Sequence, residues 1–286
     1  MTSKLNQDRE QSQVQDIAAF DTSSHRDFYA YYEQQSSGDV ALRRFEAIKA
    51  TLLRVLSQRQ SQGQSQVQSL SMLKVADIGC GAGTQSRLWA QDGHQVHGAD
   101  INQDLITLAR TRATESGLKI DFDVASATAL PWPDQSMDLC IAPELLEHVE
   151  NWQGCLSEMV RVLKPGGALY ISTSNRLCPK QEEFTLPLYS WYPGFVKRHV
   201  EHLARTSMPQ LAAYATYPAV HWFTFYGLRD HLARQGLVCL DRFDMVDQNG
   251  RGRVLTAVLG VIRRTPVLRF LAHCATPYTV LVGFKS

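Results

Sequence analysis

The chain has 286 residues, of which 44% are hydrophobic and 20% are charged, so it is long enough to bury one large core. Its 29 basic and 28 acidic residues leave a net charge of +1, without the basic excess that is typical of nucleic-acid-binding proteins. Its six cysteines form no C-x-x-C pair, and from the polar composition of residues 1–15 and the short apolar runs we expect neither a secretory signal nor a membrane-spanning segment. We therefore expect a cytoplasmic protein that has no nucleic-acid partner and at most a peripheral contact with a membrane.

The amino-terminal part, residues 1–69, is predicted to be a helical lid followed by a Gln/Ser-rich linker. Residues 39–56 place their apolar side chains on one helical face, whereas residues 57–69 are too polar to bury a core. An aromatic cluster that includes Tyr29 would either cover a ligand or pack against the main domain. We place that main domain at residues 70–286.

Short apolar strands alternate with helical stretches from residue 73 onward. This pattern predicts an α/β fold in which helices cover both faces of a mainly parallel sheet. The expected strands are 74–78, 95–99, 119–124, 138–142, 168–173, 237–245 and 278–285. The expected helices are 84–91, 103–115, 152–163 and 226–235.

An aromatic-rich stretch at about residues 175–220 interrupts the alternation. A structureless loop of this length is unusual, so we expect a helical cap that is inserted after the fifth strand. The aromatic side chains would contact a substrate that is apolar or carries a ring. Alternatively, they would build a small core of their own. The candidates for substrate contact are Tyr29, Trp191, Tyr192 and Trp222.

A glycine-rich turn follows the first predicted strand directly. Asp77 ends that strand, and Gly79, Gly81 and Gly83 lead into a helix whose amino terminus directs backbone N–H groups at a ligand. The third glycine comes one residue earlier than in the dinucleotide fingerprint G-x-G-x-x-G. Asp100, at the end of the second strand, is placed to accept both hydroxyl groups of a ribose.

Five segments carry a resemblance to a known family. They read VADIGCGAG at 75–83, GADI at 98–101, ALPWPD at 129–134, ELLEHV at 144–149 and RVLKPGG at 161–167. In order and spacing they resemble the motifs of class I S-adenosylmethionine-dependent methyltransferases of the UbiE/UbiG-like type, also called methyltransferase type 11. Together they are specific, whereas each of them alone is not.

The resemblance implies a Rossmann-like seven-stranded sheet in the order 3-2-1-4-5-7-6, with its last strand antiparallel. S-adenosylmethionine would lie across the carboxyl ends of strands one, two and four, and no metal would be required. The residues that would contact it are Asp77, Gly79, Gly81 and Gly83 at the methionine part, Asp100 and Ile101 at the ribose, Ser126 and Ala127 at the adenine, and Pro143 on the path of the methyl group. Relatives commonly carry Asp where this chain has Ser126, so a side-chain bond to the adenine amine is not expected to follow the family pattern.

The implied reaction is an in-line displacement, in which the protein aligns the acceptor and excludes water. A hydroxyl acceptor would benefit from a general base, and His221 and His148 are the candidates. Either histidine could instead have a purely structural role. His199 and His202 are one helical turn apart, but no third ligand has a recognised spacing, so we expect no metal site.

We expect methyl transfer to a small molecule, more readily at oxygen than at nitrogen or carbon. Two alternatives remain open. The chain could be a non-catalytic sensor or subunit that binds S-adenosylmethionine, or it could be an NAD-dependent oxidoreductase.

The carboxyl-terminal part is asymmetric in charge, because no acidic residue follows Asp247. A basic and apolar helical segment is expected at about residues 250–275, in which 254–262 is apolar nearly all round. Such a segment could be a buried helical pair, a homodimer contact or a peripheral membrane contact. The last possibility would suit a lipid-linked acceptor.

Overall fold

The computed structural model describes residues 38–62, 70, 72–181, 183–212, 219, 221–247 and 252–286. Up to the end of the fifth strand, the helices and strands are α1 (Asp39–Ser61), β1 (Lys74–Ile78), α2 (Thr84–Gln91), β2 (Gln95–Asp100), α3 (Gln103–Glu115), β3 (Asp121–Val124), β4 (Met137–Pro143), α4 (Trp152–Val162) and β5 (Leu163–Ser174). After that strand they are α5 (Gly194–Thr206), α6 (Phe225–Ala233), β6 (Leu237–Asp241), α7 (Arg253–Arg264), α8 (Pro266–Cys274) and β7 (Tyr278–Lys285).

The strands form one seven-stranded sheet in the order β3-β2-β1-β4-β5-β7-β6, which confirms the predicted topology. Strands β1 to β5 are parallel to one another, and β7 is antiparallel to both β5 and β6. Consecutive residues of β1, such as Val75 and Ala76, belong to the two large apolar clusters on opposite faces of the sheet. Burial on both faces explains why the central strands read as continuous apolar runs.

The starts of two helices are fixed by side chains that cap them. The Asn102 side chain accepts hydrogen bonds from the backbone N–H groups of Asp104 and Leu105, both at 3.0 Å. Asn151 caps α4 in the same way, through the N–H of Gly154 at 2.9 Å. Such caps satisfy backbone donors that have no partner inside the helix, so these helix starts are specified locally.

Some element boundaries differ from the prediction. Helix α1 runs to Ser61, into the Gln/Ser-rich stretch, and the guanidinium of Arg59 lies 4.1 Å from the ring centroid of Phe284. Strand β6 stops at Asp241 because its carboxylate accepts the N–H groups of Phe243 at 2.8 Å and Asp244 at 3.0 Å, which turns the chain. Polar residues can thus extend a helix, and one aspartate can end a strand.

Strand β5 begins five residues earlier than expected. Leu163 pairs with Met137, and the pairing then shifts so that Leu139 faces Ala168. The Lys-Pro-Gly-Gly segment lies in this irregularity, and Gly166 has a φ of +75°. The expected turn is therefore an irregular beginning of the strand.

The inserted cap contains α5 and a small apolar core. Phe184, Tyr189, Val200 and Ala204 are buried together, and the rings of Phe184 and Tyr189 are 4.1 Å apart between centroids. Part of the aromatic composition of this region thus serves the packing of the cap itself.

Helices α7 and α8 form a hairpin between β6 and β7 and pack against each other. The stretch 254–262, which is apolar nearly all round, does not form a buried helix. Leu259 is buried, whereas Val254 and Val258 are exposed. Within the described ranges no helix combines the length and the apolar character needed to cross a membrane.

Candidate active site

The candidate site lies where the carboxyl ends of β2, β1 and β4 meet. Open α/β sheets bind ligands at this edge, where the order of the strands reverses. The turn after β1 crosses the end of β2, because the N–H groups of Gly79 and Cys80 donate to the carbonyl oxygen of Ala99 at 2.8 and 3.1 Å. The glycine-rich turn is thereby held over this crevice.

The three glycines of the turn all have positive φ angles, +74° at Gly79, +50° at Gly81 and +71° at Gly83. A β-carbon at Gly79 would lie 2.9 Å from Cδ1 of Leu145, and one at Gly83 would lie 2.9 Å from Cζ of Phe122. Glycine is therefore required here by the backbone conformation and by close packing.

Asp77 lies beneath the turn and is 1% exposed. Its Oδ2 accepts a hydrogen bond from the Ser86 hydroxyl at 2.5 Å, and burial raises the pKa of its carboxyl to about 7. The side chain thus links β1 to α2 from below and is not open to solvent.

Asp100 links the end of β2 to the glycine-rich turn. Its Oδ2 accepts the N–H of Gly81 and its Oδ1 accepts the N–H of Asn102, both at 2.9 Å, while burial raises its pKa. Each carboxylate oxygen can accept more than one hydrogen bond, so capacity for a hydroxyl group remains. Ile101 is 42% exposed beside it.

Polar atoms without a protein partner lie at the amino terminus of α2. Thr84 Oγ1 and both amide atoms of Gln85 are buried and have no hydrogen-bond partner among the described residues. Unpaired buried polar atoms are uncommon, and a helix amino terminus favours an anionic group such as a carboxylate. The surroundings of the turn therefore fit the methionine end of S-adenosylmethionine.

The segment 125–127 adjoins Asp100, since the N–H of Ala125 donates to its carbonyl oxygen at 3.0 Å. The Ser126 hydroxyl lies 2.8 Å from the Thr128 hydroxyl and accepts the Thr128 N–H at 3.2 Å. It is thus engaged in its own turn, whereas Ala127 packs against the main core.

Pro143 ends β4, and Glu144 follows it with a φ of +52°. The N–H of Glu144 donates to the Ser172 carbonyl oxygen at 2.8 Å, which holds this unusual conformation. Arg44 of α1 donates a hydrogen bond to the Glu144 carboxylate. Helix α1 is therefore fixed to one wall of the crevice.

Glu147 is a buried carboxyl group that the sequence reading did not single out. It is 1% exposed, its Oε2 accepts the Thr173 hydroxyl at 2.7 Å, and its Oε1 is buried with no partner among the described residues. Burial raises its pKa to about 8. The sequence feature that could have indicated Glu147 is its place in the motif E-x-x-E-H, just after a buried strand.

The two candidate histidines flank Glu147. The backbone N–H of His221 donates to the Glu147 carbonyl oxygen at 3.1 Å, and Nε2 of His221 is buried with no partner among the described residues. Burial lowers the pKa of His221, and a hydrogen bond with the backbone of Glu150 opposes that shift. Burial lowers the pKa of His148 to about 4.

The expected substrate residues of the cap differ in their burial and in their contacts. Trp222 follows His221, its Nε1 is buried without a partner among the described residues, and Lys197 Nζ lies 4.7 Å from its ring centroid. Tyr192 packs on the ring of Tyr189 at 5.4 Å. Trp191 is 57% exposed.

Three further residues that the sequence analysis named are the histidines of α5 and Tyr29. His199 and His202 are exposed on α5. Tyr29 and the rest of the expected lid up to residue 37 lie outside the described residues.

The sequence around this crevice is similar to that of known proteins. Residues 76–171 match the methyltransferase domain family. The chain is 36% identical over 109 residues to a ubiquinone biosynthesis O-methyltransferase of Sinorhizobium fredii, which is 38% of this chain and 44% of that protein. The protein of the same name from Stutzerimonas stutzeri is 40% identical over 120 residues, 41% of this chain and 51% of that protein. The chain thus spans about half the length of the curated relatives that it matches.

Solved structures share the fold at low identity. A protein of Pyrococcus horikoshii OT3 matches with a TM-score of 0.52 and 17% identity, over 90% of this chain and 98% of that chain. Magnesium protoporphyrin IX methyltransferase from Synechocystis PCC 6803 matches with a TM-score of 0.50 and 17% identity, over 93% and 96%. The sheet is that of the Rossmann-like methyltransferases. Residues 76–171 of this chain are thus similar to S-adenosylmethionine-dependent methyltransferase domains of class I, and the relatives that they match are of the UbiG type.

Proposed function

We propose that this chain transfers the methyl group of S-adenosylmethionine to an oxygen atom of a small-molecule acceptor. The observation that carries the proposal is the methyltransferase match at residues 76–171, which coincides with the crevice where Asp100 accepts the N–H of Gly81. The names of the relatives, ubiquinone biosynthesis O-methyltransferases, favour oxygen over nitrogen or carbon.

The cofactor supplies a methyl group that its sulfonium already activates. Gly79, Gly81 and Gly83 would let the methionine part of the cofactor approach the backbone closely. Asp77 would support the turn beneath the amino group of the cofactor. The nucleoside would be held by Asp100, Ile101, Ser126 and Ala127, while Pro143 would border the path of the methyl group. Because no charge has to be created on the donor, the protein acts mainly by alignment and by exclusion of water.

Removal of the acceptor proton is assigned to His221 in this proposal. The hydrogen bond with the Glu150 backbone favours a proton on Nδ1, which leaves the Nε2 lone pair free as a base. His148 is the second candidate, but its pKa of about 4 makes it a weaker base. Glu147, which holds its proton at neutral pH, would position the acceptor by donating a hydrogen bond.

The acceptor would be selected by the cap together with the amino-terminal region. We propose the division into residues 1–69 and 70–286, with Tyr29 and the cap residues Tyr192 and Trp222 near the acceptor. Trp191 would take part only from the cap exterior. An aromatic or lipid-linked acceptor suits these side chains and the names of the relatives. We also propose that the protein is cytoplasmic. Its residues 250–275 would form either a peripheral membrane contact or a homodimer contact.

Calorimetry and turnover test the proposal together. The full chain should bind S-adenosylhomocysteine and not NAD, and Gly81→Val should lose that binding because a side chain at this positive φ obstructs the turn. Labelled methyl transfer to phenolic and lipid-linked acceptors should then be detectable. NAD binding without S-adenosylhomocysteine binding would identify an oxidoreductase, and cofactor binding without transfer to any acceptor would identify a sensor or subunit.

A further inference from the structure

The α7–α8 hairpin presents its apolar side to the outside. In α7, Val254, Val258 and Val261 lie on successive turns of one face, with Leu255 beside them, and all four are exposed. In α8, Val267, Leu268, Phe270 and Leu271 are exposed in the same way. Surface helices normally turn their apolar stripe towards the core, so this arrangement is reversed.

The sides of the two helices that face the body of the protein carry Leu259 and several polar side chains. Arg263 donates from Nε to the Phe243 carbonyl oxygen at 2.9 Å and from Nη2 to the Val246 carbonyl oxygen at 3.2 Å. Arg269 donates from Nε to Oδ2 of Asp241 at 2.6 Å, and His273 Nε2 lies 2.9 Å from the same oxygen. Asp241 is fully buried, so this network fixes the orientation of the hairpin.

The remaining arginines lie along one border of the apolar stripe. Arg253 and Arg264 are both exposed, and at 100° per residue they fall on the same flank of α7. The sequence has no acidic residue from 248 to 286. An apolar stripe with a basic flank is complementary to the interface of an anionic bilayer. A second copy placed symmetrically on this face would instead bring like charges together.

The hairpin lies at the same edge of the sheet as the candidate active site. Strand β6 runs parallel to β5, because both are antiparallel to β7, so the hairpin leaves β6 and enters β7 at the carboxyl edge. The side chain of Asn175, next to the end of β5, donates to the His273 carbonyl oxygen at 2.9 Å. A surface that rests on the hairpin would therefore border the crevice.

We propose that the outer face of α7 and α8 docks on an anionic phospholipid bilayer. The helices would lie in the plane of the interface, and the arginine flank would contact lipid phosphates. Docking itself does not depend on the proposed methyl transfer. If that function holds, docking brings the crevice to the surface where a lipid-linked acceptor resides.

Vesicle sedimentation with the full chain tests this surface without cofactor or acceptor. The protein should bind vesicles of equal phosphatidylglycerol and phosphatidylcholine, and bind phosphatidylcholine vesicles at least tenfold less. Val254→Glu with Val258→Glu should reduce binding at least tenfold. Val40→Glu is the matched control, because Val40 is also the second residue of its helix and is 84% exposed, compared with 79% for Val254.

A second variant guards against misfolding of the first. Arg253→Gln with Arg264→Gln leaves the apolar face intact and should weaken binding to the anionic vesicles several-fold, with a smaller effect at high salt. The proposal is overturned if the wild type does not bind these vesicles, or if both variants bind as it does. It is equally overturned if ultracentrifugation shows a dimer that the glutamate variant dissociates while lipid binding is absent.

Discussion

Arg44 of α1 donates a hydrogen bond to the carboxylate of Glu144, the residue directly after β4, and so joins a helix outside the βα units to the wall of the crevice. The Arg44 guanidinium also lies 5.6 Å from the ring centroid of Tyr278, at the start of β7. One side chain thus connects three separate parts of the chain at one wall of the crevice, which is the side where we propose that the acceptor binds.

Replacing Arg44 should therefore affect the acceptor more than the cofactor. The pair with Glu144 is partly exposed, so Arg44→Met should cost no more than about 1 kcal/mol of stability. We expect the KM of the acceptor to rise several-fold while the Kd of S-adenosylhomocysteine stays within twofold. Arg43→Met is the control, because Arg43 is 80% exposed at its side chain and pairs with Asp39 of the same helix at 4.0 Å. Equal effects of the two variants would refute the role of the pair.

Asp100→Asn should weaken cofactor binding. Hydrogen bonds to a charged group contribute about 1.5 to 3 kcal/mol, so we expect a ten- to hundredfold rise in the Kd of S-adenosylhomocysteine, measured by calorimetry. An amide can also accept only through its oxygen, so one of the bonds to Gly81 and Asn102 is lost. Asp104→Asn, at an exposed position of α3, should bind normally, and a normal Kd in Asp100→Asn would place the nucleoside elsewhere.

His221→Asn should slow the chemical step. Loss of a general base typically costs about a hundredfold or more in kcat, whereas the affinity for S-adenosylhomocysteine should not change. Burial lowers the pKa of His221, so the imidazole stays deprotonated to a lower pH than usual and the wild-type rate should fall only as the pH drops below about 6.5. His202→Asn, on the exposed side of α5, is the control. An unchanged kcat or an unchanged pH profile in His221→Asn would assign proton removal to another group.

Glu147 should make the protein less stable at alkaline pH. Its pKa is raised to about 8 in the folded state, from a usual value of 4.5, so the folded chain holds a proton that the unfolded chain releases. The stabilisation is complete below about pH 4.5 and is lost as the pH rises through 8, with a slope of at most about 1.4 kcal/mol per pH unit. Chemical unfolding of Glu147→Gln should therefore vary less between pH 5.5 and 8.5 than that of the wild type. Glu115→Gln, an exposed change, should follow the wild type, and identical curves for all three proteins would show that Glu147 is not buried in its acid form.

The sheet could be predicted because its signals are local. The apolar run at β1 and the cap at Asn102 determine an element by themselves, so β1, α2 and α3 begin and end at the predicted residues. Boundaries failed where distant contacts decide them. The pairing of Leu163 with Met137 extends β5, and Arg59 packs on Phe284 at the end of a helix that continues past its apolar pattern.

The candidate site was predictable for the glycine-rich turn and less so for the groups around it. Three glycines and a strand-end aspartate have a spacing that can be read directly. Glu147 is buried, and His221 Nε2 lacks a hydrogen-bond partner among the described residues, because segments that are far apart in sequence meet in the fold. Periodicity likewise showed that 254–262 is apolar, but it does not state which side of a helix faces the protein.

The hairpin also has a consequence for the order in which the molecule assembles. Asp241 pairs with Leu281, so all of residues 242–280 must be closed into a loop before β6 and β7 can align, at a higher entropic cost than a tight turn would impose. The edge of the sheet should therefore form after the parallel strands, and pulse-labelled hydrogen exchange during refolding should protect the β1 amides before those of β7. In that interval the apolar surface between β5 and β6 would be open to other chains, which makes the Asp241–Arg269 contact a safeguard against aggregation as well as a support for the hairpin.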